Sequence, residues 1–384
     1  MTTRGTPGSA RSTDRYDGAA IGRDEPRPEV RAGATAERMT TTDWSATTAE
    51  HPDRNGQVVC IGESMTLLTP PAGQSLIEAT ETELHVAGAE GNVACGLAHL
   101  GIGTQWLSRI GADPLGQRIL DFYGSRGVGL DHVVVDPDRP TGVMFKDRVA
   151  DRNSVFYYRK GSAASALNPD ALPGLGRPAL IHLSGINAVL SGQLSDLART
   201  VVIDRALPDA LVSFDVNHRP GLWPAEEAAA PLRRLANAAD VVLVGLDEAE
   251  RLWGSTTADD VRANLPDAKV IVVKDADRGA WHLSAEETVF QPALPLQVVD
   301  VVGAGDAFAA GYLAALLSGR TPAARLRLGH LLAALTIQST ADTPPLPDAG
   351  VLWELADADD GWDRIVIEPR ALADAEILRG KEIR

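Results

Sequence analysis

Residues 300–311 read DVVGAGDAFAAG, a glycine turn followed by a helix-like run of small residues. The apolar run LQVVDVV (residues 296–302) enters the turn as a predicted strand, and Gly303 and Gly305 bracket the turn itself. Glycine lets a backbone approach a ligand closely. The first N–H groups of a helix lack intrahelical partners and carry a partial positive charge. The stretch therefore predicts an anion hole, with Asp306 beside it at the start of a helix over 306–317.

Asp306 also has a simpler interpretation as an ordinary helix cap that follows a glycine turn. The residues after it are small, at positions 307, 309, 310 and 311, which favours tight packing of this helix under the turn. The turn alone leaves both interpretations open.

Outside the turn, apolar β-rich runs alternate with helical stretches. Strands are predicted over 57–61, 105–110, 179–183, 211–216, 240–244 and 269–274, and helices over 91–100, 114–125, 193–205, 226–239 and 247–253. Strands that are apolar on both faces and alternate with helices indicate a parallel sheet covered on both sides. We predict an α/β fold of three layers around a doubly wound, mostly parallel sheet.

Two segments depart from this alternation. Residues 63–86 and 141–160 carry strand-like runs (MTLLT, ELHV, GVMFKDRV and SVFYYR) without a crossover helix. We expect their strands to be antiparallel and to form a small β-sheet lid, which would close over a ligand and exclude water. Residues 1–54 have few large apolar side chains and are predicted to be a disordered extension. The predicted domain covers 55–345, and a proline-rich, acidic C-terminal extension covers 346–384.

The bulk composition excludes several kinds of partner. The formal net charge of −16 argues against nucleic acid, whose phosphates require a basic surface. No run of about 18 apolar residues predicts a membrane span, and the N-terminus lacks the apolar core of a secretory signal. Cys60 and Cys95 lie in apolar surroundings and are predicted to be buried, which suits a reducing cytoplasm.

Two glycine-rich signatures resemble those of one known family. GAGD at 303–306 is similar to the end of D-T-x-G-A-G-D in the ribokinase-like (PfkB) carbohydrate kinases. AGAEGNVACGLAHLG at 87–101 resembles their G-G-x-x-x-N-x-A-x-x-x-x-x-L-G, with Ala87 in place of the first glycine. The resemblance spans about 57–340 and implies a ribokinase-like fold. It also implies that Asp306 is the catalytic base, that Gly303, Ala304 and Gly305 form the anion hole, and that Gly88 and Asn92 line the sugar site.

Two shorter segments bear on cofactors. KDADRGA at 274–280 resembles the family's nucleotide loop K-x-G-x-x-G-A, which implies that Lys274 and Gly279 bind ATP together with Gly303 and Gly305. The first glycine of that loop is Ala276 here. GLDE at 245–248 resembles N-x-x-E, which is tied to Mg²⁺ and phosphate; Glu248 matches and Gly245 replaces the asparagine. The resemblance thus implies ATP and Mg²⁺, with an indirect metal role for Glu248. A solvated helix carboxylate is the alternative for Glu248.

Two further segments bear on the identity of the substrate. FYYRKGSAASA at 156–166 and SFDVNHR at 213–219 resemble the 2-keto-3-deoxygluconate kinase branch, which implies that Tyr157, Arg159 and Arg219 contact a sugar acid. A planar, always charged guanidinium suits a bidentate grip on a carboxylate. A solvated strand edge is the alternative for Arg159. Asp215 and Asn217 are expected either to orient Arg219 or to meet phosphate.

We therefore predict a cytoplasmic ATP-dependent kinase that phosphorylates a hydroxyl of a small sugar acid, 2-keto-3-deoxygluconate being the specific expectation. Fructokinase, ribokinase or nucleoside kinase activity on the same fold is one alternative, and a non-catalytic sugar or nucleotide sensor is another. A Rossmann dehydrogenase is excluded because no G-x-G-x-x-G follows the first strand. Pairing of two subunits through the lid is a further expectation, since strands with an exposed apolar face favour it.

Overall fold

The computed structural model describes residues 57–71, 73–149, 152–296, 298–339, 341–358, 360–365 and 367. Its strands are β1 (Val58–Ile61), β2 (Met65–Thr69), β3 (Glu83–Ala87), β4 (Thr104–Gly111), β5 (Val133–Asp136), β6 (Val143–Val149), β7 (Arg152–Tyr158), β8 (Leu180–Ser184), β9 (Leu211–Asp215), β10 (Val241–Gly245), β11 (Val270–Asp275), β12 (Gly279–Leu283) and β13 (Thr288–Pro292). Its α-helices are α1 (Ala89–His99), α2 (Pro114–Gly124), α3 (Asn187–Leu190), α4 (Gly192–Val202), α5 (Ala225–Ala238), α6 (Leu246–Trp253), α7 (Ala258–Asn264), α8 (Ala304–Leu317), α9 (Pro322–Ile337) and α10 (Ala349–Asp357). The extension predicted over 1–54 lies outside the described residues.

Nine strands form the large sheet, in the order β13-β12-β11-β10-β9-β8-β1-β4-β5. All pairings from β11 across to β5 are parallel. The strands β12 and β13 add an antiparallel edge. The prediction of a mostly parallel sheet is confirmed.

Helices cover both faces of this sheet, as the side-chain alternation of β10 shows. Val241 and Leu243 pack in one apolar cluster, which contains the buried residues of α8 and α9. Val242 and Val244 point the other way, into a cluster that contains α4 and α5. Successive strand side chains face opposite sides. A strand with apolar residues at every position therefore requires a helical layer on each side, and the three-layer prediction is confirmed.

A separate four-stranded sheet, hereafter the small sheet, has the order β3-β2-β6-β7. Its outer pairings, β2 with β3 and β6 with β7, are antiparallel, as expected for hairpins. The central pairing of β2 with β6 is parallel, and there the expectation of antiparallel strands was wrong. Because β2 and β6 come from segments about seventy-five residues apart, no hairpin turn forces them to run in opposite directions.

The apolar run at 296–302 is not a strand in its described residues, which corrects that prediction. The N–H groups of Val299 and Asp300 both bond to the carbonyl of Ile337, so the segment is tied to the end of α9 rather than to a neighbouring strand. Val298 and Val301 are 56% and 67% exposed. The valines that suggested a strand therefore face open space beside the glycine turn.

The described part of the C-terminal extension packs on the core. Leu352 of α10 is fully buried, and the Trp362 indole donates a 2.8 Å hydrogen bond to the carbonyl of Pro292. The predicted burial of Cys60 and Cys95 is confirmed, and both thiols are free. No helix in the described part of the chain is long and apolar enough to cross a membrane.

Candidate active site

The carboxyl ends of the central parallel strands bring several charged groups to one edge of the sheet. Asp215 ends β9, and Lys274 lies near the end of β11. The Lys274 ammonium donates to Asp215 Oδ2 over 2.9 Å. In open α/β sheets, ligands bind outside this edge. The predicted nucleotide lysine is therefore located where a ligand is expected.

The glycine turn lies against this pair. Gly303 has a φ of 80°, and a Cβ there would lie 2.7 Å from the carbonyl oxygen of Asp342, so glycine is required at this position. Ala304 begins α8. A Cβ on Gly305 would have the Lys274 ammonium, 3.5 Å away, as its nearest heavy-atom neighbour. Open space at Gly305 is thus bounded by a helix N-terminus and an ammonium, which is the geometry that an anion hole requires.

Asp306, on the first turn of α8, is held by a side chain from the other glycine-rich motif. The Asn92 amide of α1 donates to Asp306 Oδ2 over 2.9 Å. Burial raises the pKa of Asp306 to about 7, with further increases from Asp215 and Asp342, while the Asn92 hydrogen bond and Arg219 oppose the rise. A carboxyl group that titrates near neutrality suits general base catalysis.

Lys274 keeps its charge despite its burial. Burial lowers the pKa of Lys274, but the carboxylates of Asp215 and Glu248 outweigh that effect, so its pKa is raised. Glu248 lies at the start of α6, where burial raises its pKa and Lys274 opposes the rise. The site therefore presents a fixed positive charge next to the glycine turn.

Glu248 uses both carboxylate oxygens to hold the backbone. Its Oε2 accepts from the N–H of Gly245 at 2.8 Å, and its Oε1 accepts from the N–H of His218 at 2.9 Å. Gly245, where the family pattern has asparagine, contributes only this backbone group to Glu248. In the described ranges, no cluster of three or more His, Cys, Asp or Glu side chains is placed to hold a metal. Mg²⁺ commonly binds through one or two carboxylates, substrate phosphates and water. The side chains at this site thus fit a Mg²⁺ ion that arrives bound to a nucleotide, which supplies the phosphate ligands.

Arg159 is already engaged in an ion pair. Its Nε donates to Glu63 Oε2 over 2.7 Å, and the other oxygen of Glu63 accepts from the Ser162 hydroxyl over 2.6 Å. Both charged side chains are nearly buried, and the Tyr157 ring lies 5.6 Å from the guanidinium carbon. Contact between Arg159 and a substrate would therefore use only its remaining N–H groups. Glu63 was missed from the sequence, although a carboxylate two residues after a buried strand was an available signal.

Arg219 is the more available guanidinium. Its side chain is 48% exposed, and Nη1 lies 3.9 Å from Glu248 Oε1, which is a weak ion pair. Its charge nevertheless reaches Asp306, whose pKa it lowers. Asp215 is bonded to Lys274 and to the N–H of Asn217. Asp215 therefore pairs with Lys274 rather than with Arg219, and Arg219 pairs with Glu248.

The other predicted glycines have local structural reasons. A Cβ on Gly88 would lie 2.4 Å from the Ser64 hydroxyl, so glycine lets α1 begin directly against the chain that leaves β1. Gly279 has a φ of 144°, and a Cβ there would lie 2.3 Å from the carbonyl oxygen of Gln291. That requirement comes from the β12–β13 hairpin. Ala276 has a φ of 47°, a left-handed conformation at the position where the family pattern has glycine.

Three further residues near the turn were not predicted. Lys146 of β6 forms a buried ion pair with Asp300, three residues before Gly303. Asp342 is also buried, and its Oδ1 has no hydrogen-bond partner in the described structure. Burial raises the pKa of Asp342 to about 6, against the influence of Lys146. No local pattern in the sequence relates these positions, which are far apart along the chain.

Comparison with known proteins adds independent findings. The model of the pfkB family of carbohydrate kinases matches residues 55–349. The 2-dehydro-3-deoxygluconokinase of Bacillus subtilis (strain 168) is 34% identical over 297 residues, which cover 75% of this chain and 92% of that protein. The solved structure of a PfkB protein from Polaromonas sp. JS666 is 34% identical, with a TM-score of 0.70 over 77% of this chain and 98% of that one. A fructokinase with bound ATP from Xylella fastidiosa shares the fold at 24% identity and a TM-score of 0.69, over 78% of this chain and 98% of that one.

Proposed function

We propose, from the premise that this chain belongs to the pfkB family of carbohydrate kinases, that it transfers the γ-phosphoryl group of ATP to a hydroxyl of a small sugar acid. The proposed substrate is 2-keto-3-deoxygluconate (2-dehydro-3-deoxygluconate), with its 6-phosphate as product. The observation that carries the proposal is the open space at Gly305, bounded by the Lys274 ammonium and adjacent to the Asp306 carboxyl group.

ATP would lie along residues 274–280 with its phosphates at the start of α8. The Lys274 ammonium and the N–H groups of Gly305 and Asp306 would face the transferred group, because the first N–H groups of a helix have no intrahelical acceptors. The exposed side chains of Val301 and Val302, which flank the turn, offer apolar surface for the adenine. Mg²⁺ bound with the nucleotide would offset phosphate charge, with Glu248 acting indirectly through the backbone that it fixes.

Asp306 would act as the general base. Its carboxylate would accept the proton of the substrate hydroxyl as that oxygen forms a bond to the γ-phosphorus and the bond to the β-phosphate oxygen breaks, which releases ADP. The hydrogen bond from Asn92 orients the carboxylate and leaves its other oxygen for the substrate. The half-buried position of Asp306 supports this role more than that of a solvated helix cap.

The acid group of the substrate would be recognised by guanidinium groups. Arg219 is exposed at the site and close enough to lower the pKa of Asp306. Arg159 is fixed by Glu63 with its planar group beside Tyr157, so its outer N–H groups would complete the grip. Gly88 and Asn92 would lie along the sugar hydroxyls. A neutral sugar would leave the positive charge of Arg219 unused, which favours an acid.

A panel of substrates tests the proposal directly. Purified protein with ATP and Mg²⁺ would be given 2-keto-3-deoxygluconate, 2-keto-3-deoxygalactonate, fructose, ribose and adenosine, and ADP would be measured by chromatography. We expect the two acids to give a kcat/KM at least about a hundredfold above that of the neutral compounds, from charge-assisted hydrogen bonds. Preference for a neutral sugar would replace the proposed substrate. Lack of ADP with every compound would favour a non-catalytic sensor.

Two properties of the whole molecule are part of the proposal. A cytoplasmic location agrees with two free, buried cysteines and a need for ATP. Pairing of two copies through the small sheet agrees with the exposed aromatic rings of Phe156 and Tyr158 on β7. Light scattering of the purified protein would measure the oligomeric state, and a monomer at working concentration would contradict the pairing.

A further inference from the structure

The small sheet places one charged side chain next to the glycine turn. Lys146 of β6 pairs with Asp300, although the two residues are 154 positions apart in the chain. Both side chains are only 3% exposed. Removing two charges from water is costly, and a buried pair is often no more stabilising than apolar residues of similar volume. Stability alone is therefore a weak explanation for this pair.

Asp300 connects the pair to the turn backbone. Its second oxygen, Oδ1, accepts a hydrogen bond from the N–H of Val302 at 3.2 Å. Val302 directly precedes Gly303. The backbone of Asp300 is in turn bonded to the carbonyl of Ile337 at the end of α9. The Lys146 ammonium thus contacts the Asp300 carboxylate, which in turn holds the N–H of the residue just before the glycine turn.

A second acidic residue, Asp342, also lies against the turn. The backbone of Asp342 packs against Gly303, and its buried side chain has an oxygen without a hydrogen-bond partner in the described residues. Lys146 provides the main positive charge that acts on Asp342, while Asp300 acts in the opposite direction. The Asn92 amide, which holds Asp306, also lowers the pKa of Asp342. Lys146 therefore pairs with one acidic residue beside the turn and influences the pKa of the other.

We propose that Lys146 is a positioning residue for phosphoryl transfer: its ammonium, carried by the small sheet, holds Asp300, and the other oxygen of Asp300 holds the peptide that leads into the glycine turn. It thereby fixes the backbone of the anion hole. This inference rests on the proposed role of the turn in binding phosphate. Because Lys146 belongs to the small sheet, the anion hole would be ordered only when the small sheet is correctly placed.

Three variants separate this role from a merely structural one. Lys146→Met removes one member of the buried ion pair, which endangers folding. The double variant Lys146→Met/Asp300→Asn removes both charges with little change of volume and avoids that penalty. The control is Lys269→Met, because Lys269 also pairs with a buried aspartate, Asp240, at the opposite edge of the sheet, although the Lys269 side chain is 56% exposed.

The measurements are kcat, the unfolding midpoint, and the Kd for ATP by calorimetry without sugar. We expect kcat to fall at least about tenfold in both Lys146 variants, and ATP binding to weaken, while the double variant keeps a near-native unfolding midpoint. Lys269→Met should retain its kcat. Ammonium ion should restore part of the kcat of Lys146→Met, whereas tetramethylammonium at equal ionic strength, which is too large for the space, should not.

Recovery of activity in the double variant would contradict the positioning role. If the double variant regains wild-type kcat and ATP affinity, the loss in Lys146→Met came only from removing one member of a buried ion pair, and the positioning role is overturned. The calorimetric comparison requires no sugar. A wild-type protein that phosphorylates nothing in the panel would therefore defeat the proposed function while the effect of Lys146 on ATP binding is still measured.

Discussion

The side-chain amide of Asn92 donates a 2.9 Å hydrogen bond to Asp306, which joins the two glycine-rich motifs across 214 positions of the chain. The helices that carry them, α1 and α8, are in close contact, since a Cβ on Gly96 would lie 2.5 Å from that of Ala310. The small residues of both motifs thus bring two distant segments together. The consequence is a carboxylate whose orientation is set by a residue of the proposed sugar site.

The first prediction concerns the base itself. Asp306→Asn keeps the volume and the position at the helix start but removes the proton acceptor, so we expect kcat to fall by about a thousandfold or more. ATP binding should survive, because Lys274 and the turn are unchanged. Steady-state ADP release would measure the loss of kcat, and calorimetry would measure the retained ATP binding. Turnover at the wild-type rate would show that Asp306 is only a helix cap.

The second prediction is a pH dependence. A base acts when deprotonated, so kcat/KM should fall as pH drops through about 7, the pKa to which burial raises Asp306. Asn92→Ala removes a hydrogen bond that lowers this pKa, and the midpoint should therefore move to higher pH. The buried histidines His182, His282 and His330 have pKa values lowered to about 4 by burial and do not titrate in this window.

A control is needed because burial also raises the pKa of Glu90 to about 7. Glu90→Gln should leave the midpoint of kcat/KM in place if Asp306 is the group observed. A profile measured from pH 5.5 to 8.5 on the three proteins would check this. A midpoint that follows Glu90→Gln, or that ignores Asn92→Ala, would assign the titration to another group.

The third prediction distinguishes the two glycines of the turn. Gly303→Ala meets the backbone of Asp342 at 2.7 Å in a left-handed conformation, so we expect it to distort the turn and lower both kcat and the unfolding midpoint. Gly305→Ala meets only the Lys274 ammonium, at an ordinary 3.5 Å, and should keep its stability. Its methyl group would occupy the proposed phosphate space, and the Kd for ATP should rise by about tenfold or more. Unchanged ATP affinity in Gly305→Ala would place the phosphates elsewhere.

The sequence predicted the sheet and its helical layers because each central strand is apolar at nearly every position. Val241–Gly245 is one example, since consecutive valines and leucine can be buried only between two layers. The glycine turn was predictable for a similar reason, since its chemistry lies in adjacent residues. The valines at 298–302 led to the wrong prediction of a strand. A valine-rich run can form a core strand, but here it forms exposed apolar surface beside the turn.

The ion pairs of the site could not be predicted from local sequence patterns. Arg159 meets Glu63 across 96 positions, and Lys146 meets Asp300 across 154. Whether two charges meet depends on the register of the small sheet and on its placement over the large one. Alternating strand patterns give the face of a side chain but not its partner in another sheet.

The fourth prediction concerns the nucleotide loop. Ala276 adopts a φ of 47°, where a side chain costs about 1–2 kcal/mol and glycine has no such cost. Ala276→Gly should therefore be neutral or stabilising, by up to about 1 kcal/mol after the greater flexibility of unfolded glycine is counted. Calorimetric unfolding would measure this. As a control, Ala230→Gly in the interior of α5 should destabilise by about 1 kcal/mol. A lower midpoint for Ala276→Gly would contradict the strain.

The fifth prediction separates the two arginines by their environments. Arg219 is half exposed and only weakly paired, so Arg219→Ala should keep its unfolding midpoint while KM for the sugar acid rises by about tenfold to a hundredfold, with little change for a neutral sugar. Arg159→Ala should impair the acid as well, but it also leaves the buried Glu63 carboxylate without its partner, which costs about 3–5 kcal/mol of stability. The pair Arg159→Ala/Glu63→Gln should recover much of that stability without recovering affinity for the acid. Arg177→Ala, at an exposed pair on the opposite edge of the sheet, serves as the surface control. Equal losses on acid and neutral sugar in Arg219→Ala would remove the carboxylate from its proposed role, because a guanidinium that binds hydroxyls alone has no reason to discriminate between them.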